Sequence, residues 1–395
     1  MRYISFIHKM LSDNTCSLSV ELLPEFGWSI NNKSIYGPCS VFQGNVKLNI
    51  KSLDLVIKRV RLVFHAFETI LPFDISPGII RATKENIFCV QHILWESNEQ
   101  ALTLNKRSEY SFPFIVQMPL IQFPPSVNHP NYQCDYQIIA ILDTPSSLLK
   151  GTSQPIRTFT SILYMPFIDT TLLKSPFMAE AQKGPLSVKV RMHTCDYVPN
   201  DSLSLYIRVD SSNNKTSLKK RISGTESLSY VSIKLKLIQI MHVVAFDDIS
   251  DQTRVITTKT HKLLLINTLD NQQSSYCEAD LKLAIPADIT PSYDYGRLVR
   301  FSYRLQINVE QKRLFGGIWN YNVRLNDIPI TIGTLGYGIK SSSDLEAYSV
   351  FQQEGSDTNL KPKFIKVIEY EDALPIYDPS QLPSYESFIS NIPAN

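Results

Sequence analysis

Two short segments near the C-terminus carry the most distinctive chemistry: Leu374-Pro375-Ile376-Tyr377 and Leu382-Pro383-Ser384-Tyr385, starting eight residues apart. Proline sets φ in advance and favours a polyproline II helix. That helix has three residues per turn, so Leu374 and Tyr377 share one face, as do Leu382 and Tyr385. Such a preformed ligand loses little entropy on binding and fits aromatic-lined grooves of the WW-domain kind. Tyr385-Glu386-Ser387-Phe388 also fits a tyrosine-based sorting signal read by clathrin adaptors, but one tyrosine cannot serve both uses at once. Lys219-Lys220-Arg221 is the sharpest basic cluster. It reads as the cap of a loop between strands, with contact to acidic lipid headgroups or acceptance of ubiquitin as its functional readings. It lacks interleaved stacking aromatics, which argues against nucleic acid as a partner.

Catalytic signatures are missing. The chain contains no GxSxG elbow, HExxH, phosphate loop or protein-kinase set. Gly333-Thr334-Leu335-Gly336-Tyr337-Gly338 is glycine-rich, but its spacing is wrong for a dinucleotide fingerprint. The seven histidines are scattered without metal-ligand spacing, and His65 and His242 fall inside strand-like runs as packed or edge residues. Neither a cofactor, a metal nor an enzymatic activity is expected. The six cysteines form no CxxC pair and read as reduced, buried thiols. No run of about 18 apolar residues is present, and no signal-peptide core opens the chain, so a cytoplasmic protein is expected.

What must hold these segments is a β scaffold. Tyr and Phe are plentiful, Pro outnumbers Gly by 23 to 14, and period-two alternation dominates. Val60, Leu62, Phe64 and Ala66 alternate with polar positions, as do Tyr136, Ile138, Ala140 and Leu142. The habit resumes after Gly184-Pro185 with Leu186, Val188, Val190 and Met192, then Val231 to Leu237, then Val299 to Val309. Many short strands at this spacing predict antiparallel β-sandwiches and an all-β fold.

An internal echo sets their number. Pro119, Pro124-Pro125-Ser126 and the Tyr136 strand recur 167 residues later as Pro286, Pro291-Ser292 and the Tyr303 strand. The expected organisation is two immunoglobulin-like sandwiches in tandem, at 10–165 and 182–335, with a flexible tail at 336–395. From Ser341 onward there are nine acidic and three basic residues, a net of −6, against +8 for the rest. The tail is therefore acidic and largely disordered in expectation, with Phe364–Ile368 as its one strand-like run.

These stretches resemble the α-arrestins, the arrestin-related trafficking adaptors. Val41–Ile50, Ile57–Phe64, Phe112-Pro113-Phe114, Met118-Pro119 and Pro124-Pro125-Ser126 are similar to the family's N-terminal domain. Ser187–Val190, Tyr197–Asn200, Leu283–Pro286, Thr290–Ser292 and Pro329–Gly333 are similar to its C-terminal domain. The resemblance covers roughly residues 15 to 390. It implies a non-catalytic adaptor that recognises a membrane transporter or receptor and recruits a WW-domain HECT-type ubiquitin ligase, with peripheral recruitment to the plasma membrane or endosomes. The alternative on the same fold is a retromer-type coat or scaffold subunit without ligase recruitment. Two departures stand out. Leu replaces the first proline of the family's PPxY motif in both copies. Asn200 stands where the family's second domain has a turn glycine, and Asn tolerates the same left-handed conformation.

Overall fold

The computed structural model describes residues 16–23, 29–30, 33–51, 55–75, 78–80, 82–97, 102–104, 108–144, 155–173, 175–212, 229–246, 250–267, 274–313, 321–350 and 361–366. Alternation becomes burial directly. In the Arg59–Ile70 strand every second side chain is buried, including Val60, Leu62, Phe64 and Ala66, and every other one is half-exposed. One face of a pleated strand then meets the core and the other meets solvent.

Four strands form one sheet of the N-terminal sandwich, in the order Cys16–Leu22, Val41–Ile50, Glu109–Gln117, Lys363–Ile365. The facing sheet is built around Arg59–Ile70, which pairs with Tyr132–Asp143 on one side and Thr83–Glu96 on the other. Ile156–Tyr164 extends it and pairs in parallel with Lys33–Tyr36. The second half repeats the wiring. Phe177–Lys183, Leu186–Met192, Ser202–Ser212, Ser274–Ala284 and Ile266–Asn267 make one sheet, and Asp196–Tyr197, Tyr321–Ile332, Val299–Arg313, Ser229–Val243 and Gln252–Leu264 the other. The molecule is thus an all-β pair of antiparallel sandwiches. No helix among the described residues is long and apolar enough to cross a membrane.

The echo read in the sequence has a structural counterpart. The Tyr136 hydroxyl donates to the Pro124 carbonyl at 2.6 Å, and the Tyr303 hydroxyl donates to the Thr290 carbonyl at 2.5 Å. Each aromatic strand thereby ties down the connection that precedes it. A second repeated feature lies in the turns after Pro38 and Pro199. Cys39 and Asn200 both adopt left-handed backbone, at φ 61° and 71°. Their N–H groups donate to the carbonyls of the echoed prolines, Pro119 at 3.0 Å and Pro286 at 3.4 Å. Asn200 therefore does take the conformation expected of a turn glycine.

The two cores are unequal at their junction. The C-terminal core draws only on residues 186–332. The N-terminal core takes in Met241, Val243, Tyr293, Leu298, Val299 and Phe301 from the other half, and Tyr348 from beyond it. The six cysteines are all free, but only Cys16, Cys134 and Cys277 are buried. Cys39 and Cys89 are exposed, contrary to the expectation of buried thiols, because one sits in a tight turn and the other points outward from an edge strand.

Candidate functional site

The chain leaves the C-terminal sandwich at Ile332 and does not depart from the body. At Gly333 a Cβ would lie 2.3 Å from Thr170 Cγ2 and 2.9 Å from the Ile168 carbonyl, so this close approach requires glycine. Thr334 Oγ1 then donates to the Pro166 carbonyl at 2.6 Å and accepts from the Ile168 N–H at 2.8 Å. Thr170 Oγ1 donates to the Leu335 carbonyl at 2.7 Å, and the Ser341 N–H donates to Asp169 Oδ1 at 2.9 Å. The segment is laced onto the connection between the sandwiches. It then reaches the N-terminal sandwich, where Glu346–Ala347 pairs in parallel with Ile121–Gln122.

Tyr348 follows, and its ring is buried at the junction of three segments. Its hydroxyl donates to the carboxylate of Glu68, which lies on the Arg59–Ile70 strand and is 1% exposed. The Leu298 N–H donates to the other oxygen of Glu68 at 3.3 Å, from the C-terminal half. The Arg297 N–H donates to the Tyr348 hydroxyl at 3.0 Å, and the Arg297 guanidinium lies 4.8 Å from the Tyr348 ring centre. One carboxylate thus joins the first sandwich, the second and the segment that follows both. Burial pushes the Glu68 carboxyl up to about 7, against the lowering effect of the hydrogen bonds from Tyr348 and Leu298. Burial and the same carboxylate push the Tyr348 phenol up as well.

Farther along, Lys363–Ile365 pairs antiparallel with Ile115–Gln117, completing the edge of the first sheet. Pro362 is buried, and Phe364 packs against the N-terminal core with its ring stacked on His92, centroids 5.0 Å apart and planes 13° from parallel. The strand-like character read at Phe364–Ile368 is therefore real at its start; residues 367–368 lie outside the described residues.

Every site residue named from the sequence lies outside the described residues: Leu374, Pro375, Tyr377, Leu382, Pro383 and Tyr385, and the basic cluster Lys219, Lys220 and Arg221. Conversely, sequence reasoning passed over Glu68, Arg297 and Tyr348. The available signal was a lone Glu at an inward position of an otherwise apolar strand, where a buried charge requires a partner. His65 and His242 sit on edges as expected: His65 Nε2 bonds Asn86 at 2.8 Å, and His242 bridges Asp251 and Ser302 at 2.7 and 2.9 Å.

Residues 182–337 match the family model described as arrestin (or S-antigen), C-terminal domain. No curated protein matches the chain. The matched residues hold the second sandwich, and the first repeats its central strands in the same order. The chain therefore has the arrestin fold, with an arrestin C-terminal domain as its second sandwich.

Proposed function

We propose that this protein is a non-catalytic trafficking adaptor of the α-arrestin kind, whose body selects a membrane transporter or receptor and whose C-terminal segment brings a WW-domain HECT-type ubiquitin ligase. The ligase then modifies the cargo, and the adaptor itself, and the cargo enters the endocytic route. Catalysis belongs to the ligase; the adaptor contributes local concentration. It works in the cytoplasm, recruited peripherally to plasma membrane or endosomes. The basic cluster Lys219–Arg221 serves acidic headgroups or accepts ubiquitin.

The observation that carries this reading is the pair of Leu-Pro-x-Tyr motifs in an acidic segment that follows an arrestin-fold body. A coat or scaffold subunit on the same fold has no use for that pair. One motif should bind a WW domain with a Kd on the order of micromolar, near −8 kcal/mol. Eight residues of extended chain span only about 25 Å, so the two motifs act mainly as alternatives. Calorimetry of the full chain with an isolated WW domain tests the reading. Tyr377→Ala and Tyr385→Ala should each weaken binding, and the double variant should abolish it. Undiminished binding in the double variant rules the site out.

A further inference from the structure

The C-terminal segment is anchored twice before it reaches the first Leu-Pro-x-Tyr motif, at Tyr348 and again at Lys363–Ile365. The second anchor has a direction. Lys363 lies opposite Gln117 and Ile365 opposite Ile115. Gln117 is at the end of its strand that leads, through Met118 and Pro119, to the junction with the C-terminal sandwich. Glu109, at the other end, lies opposite Asn49 and near the start of the Arg59–Ile70 strand, remote from that junction. The chain therefore leaves Ile365 running away from the C-terminal sandwich, along the open side where the edges of Glu109–Gln117 and Thr83–Glu96 meet. Phe364 stacked on His92 spans those two edges.

We infer that this short strand fixes where the ligase docks: a WW domain on Leu374–Tyr377 is held beside the far end of the N-terminal sandwich and kept from the C-terminal one. The inference rests on the reading of that motif as a WW ligand. Its basis is covalent reach. Nine residues separate Ile365 from Leu374, which caps the span at about 30 Å. Anchored at Tyr348 alone, the motif would be 26 residues away and could reach about 90 Å. For a flexible chain the typical end-to-end distances are about 17 Å and about 29 Å. The volume sampled scales as the cube of that distance. The docked strand therefore raises the concentration of a bound WW domain around the N-terminal sandwich about fivefold.

The full chain is mixed with an isolated WW domain carrying an amine-reactive crosslinker, at a concentration that saturates binding as measured by calorimetry. Crosslinked lysines are then mapped by mass spectrometry. Lys47, Lys51 and Lys58, toward the far end of the N-terminal sandwich, should react in clear excess over Lys189 and Lys282 on the C-terminal one. Phe364→Asp should undock the strand and lower the yield on Lys51 and Lys58 about fivefold while leaving the WW-domain Kd within twofold. Inserting 17 Gly/Ser residues after Lys366 should lower it equally with the strand still docked, so the result does not hinge on how Phe364→Asp folds. Equal yields on both sandwiches in the unaltered chain, or yields unmoved by the insertion, would overturn the inference alone. Absence of any WW-domain binding would overturn the adaptor reading and this inference with it.

Discussion

Two equivalent positions in the two sandwiches show how differently one architecture can be completed. In the first, Cys134 pairs with Glu68; in the second, 167 residues later, Phe301 pairs with Met241. Both Glu68 and Met241 are buried near the junction, at 1% exposure each. A methionine there needs only neighbours to touch, and the C-terminal sandwich provides its place without help. A glutamate needs donors. Those of Glu68 come from Leu298 and Tyr348, 230 and 280 residues away. The sheet edges differ in the same sense. Ser274–Ala284 is met by Ile266–Asn267, the continuation of a strand of its own sandwich. Glu109–Gln117 is met by Lys363–Ile365, which arrives from beyond the second sandwich. The first sandwich is thus finished by segments that follow the second, and its stability is coupled to them.

The largest effect expected from this asymmetry is at Tyr348. Tyr348→Ala empties a buried aromatic site and removes a donor from Glu68, and should cost about 3–5 kcal/mol. Met241→Ala should cost about 2–5 kcal/mol by lost packing alone. Urea unfolding at fixed pH measures both. A Tyr348→Ala chain within about 1 kcal/mol of the parent would mean that the returning segment contributes little, and the comparison would fail.

Next in size is a pH dependence confined to the first sandwich. The folded-state pKa of Glu68 is raised to about 7, so the folded protein holds this proton to higher pH than the unfolded chain does. Its favourable contribution is complete below about pH 4.5 and is lost as pH rises through about 7. The total is on the order of 3 kcal/mol. Glu68→Gln keeps the shape and can still accept from Tyr348, so it should flatten the profile between about pH 5 and 8 and be the more stable form at about pH 8. A Glu68→Gln profile that parallels the parent would assign the dependence to other groups.

The smallest expected effect contrasts the repeated turns. Cys39 and Asn200 both hold φ > 0, but Asn enters that region far more readily than Cys. Cys39→Gly should therefore stabilise by about 1 kcal/mol, and Asn200→Gly by a few tenths at most. Thermal melts of the two variants resolve the difference. Equal gains would show that the residue's intrinsic preference does not control these turns.

What the sequence determined by itself was everything that depends on near neighbours along the chain. Alternation at Val60, Leu62, Phe64 and Ala66 identified a strand and its inner face, because a pleat turns successive side chains to opposite sides whatever surrounds them. The Pro119 and Pro286 echo disclosed the repeat for the same local reason. The Leu-Pro-x-Tyr pair was legible because a polyproline helix needs no tertiary support. Only the tertiary structure decided which polar residue would be buried and what would satisfy it. Glu68 looks like any charged residue in a strand. Its role arises when Leu298 and Tyr348 arrive, and no period or spacing encodes a contact across 280 residues. Composition likewise assigned residues 336–366 to an acidic tail, while a glycine at 333, a chain of hydrogen bonds to residues 166–170 and an open sheet edge hold much of it against the body. An edge of unpaired backbone groups accepts almost any short strand brought close to it, so the docking of Lys363–Ile365 was settled by where the fold delivered that strand and not by its residues alone.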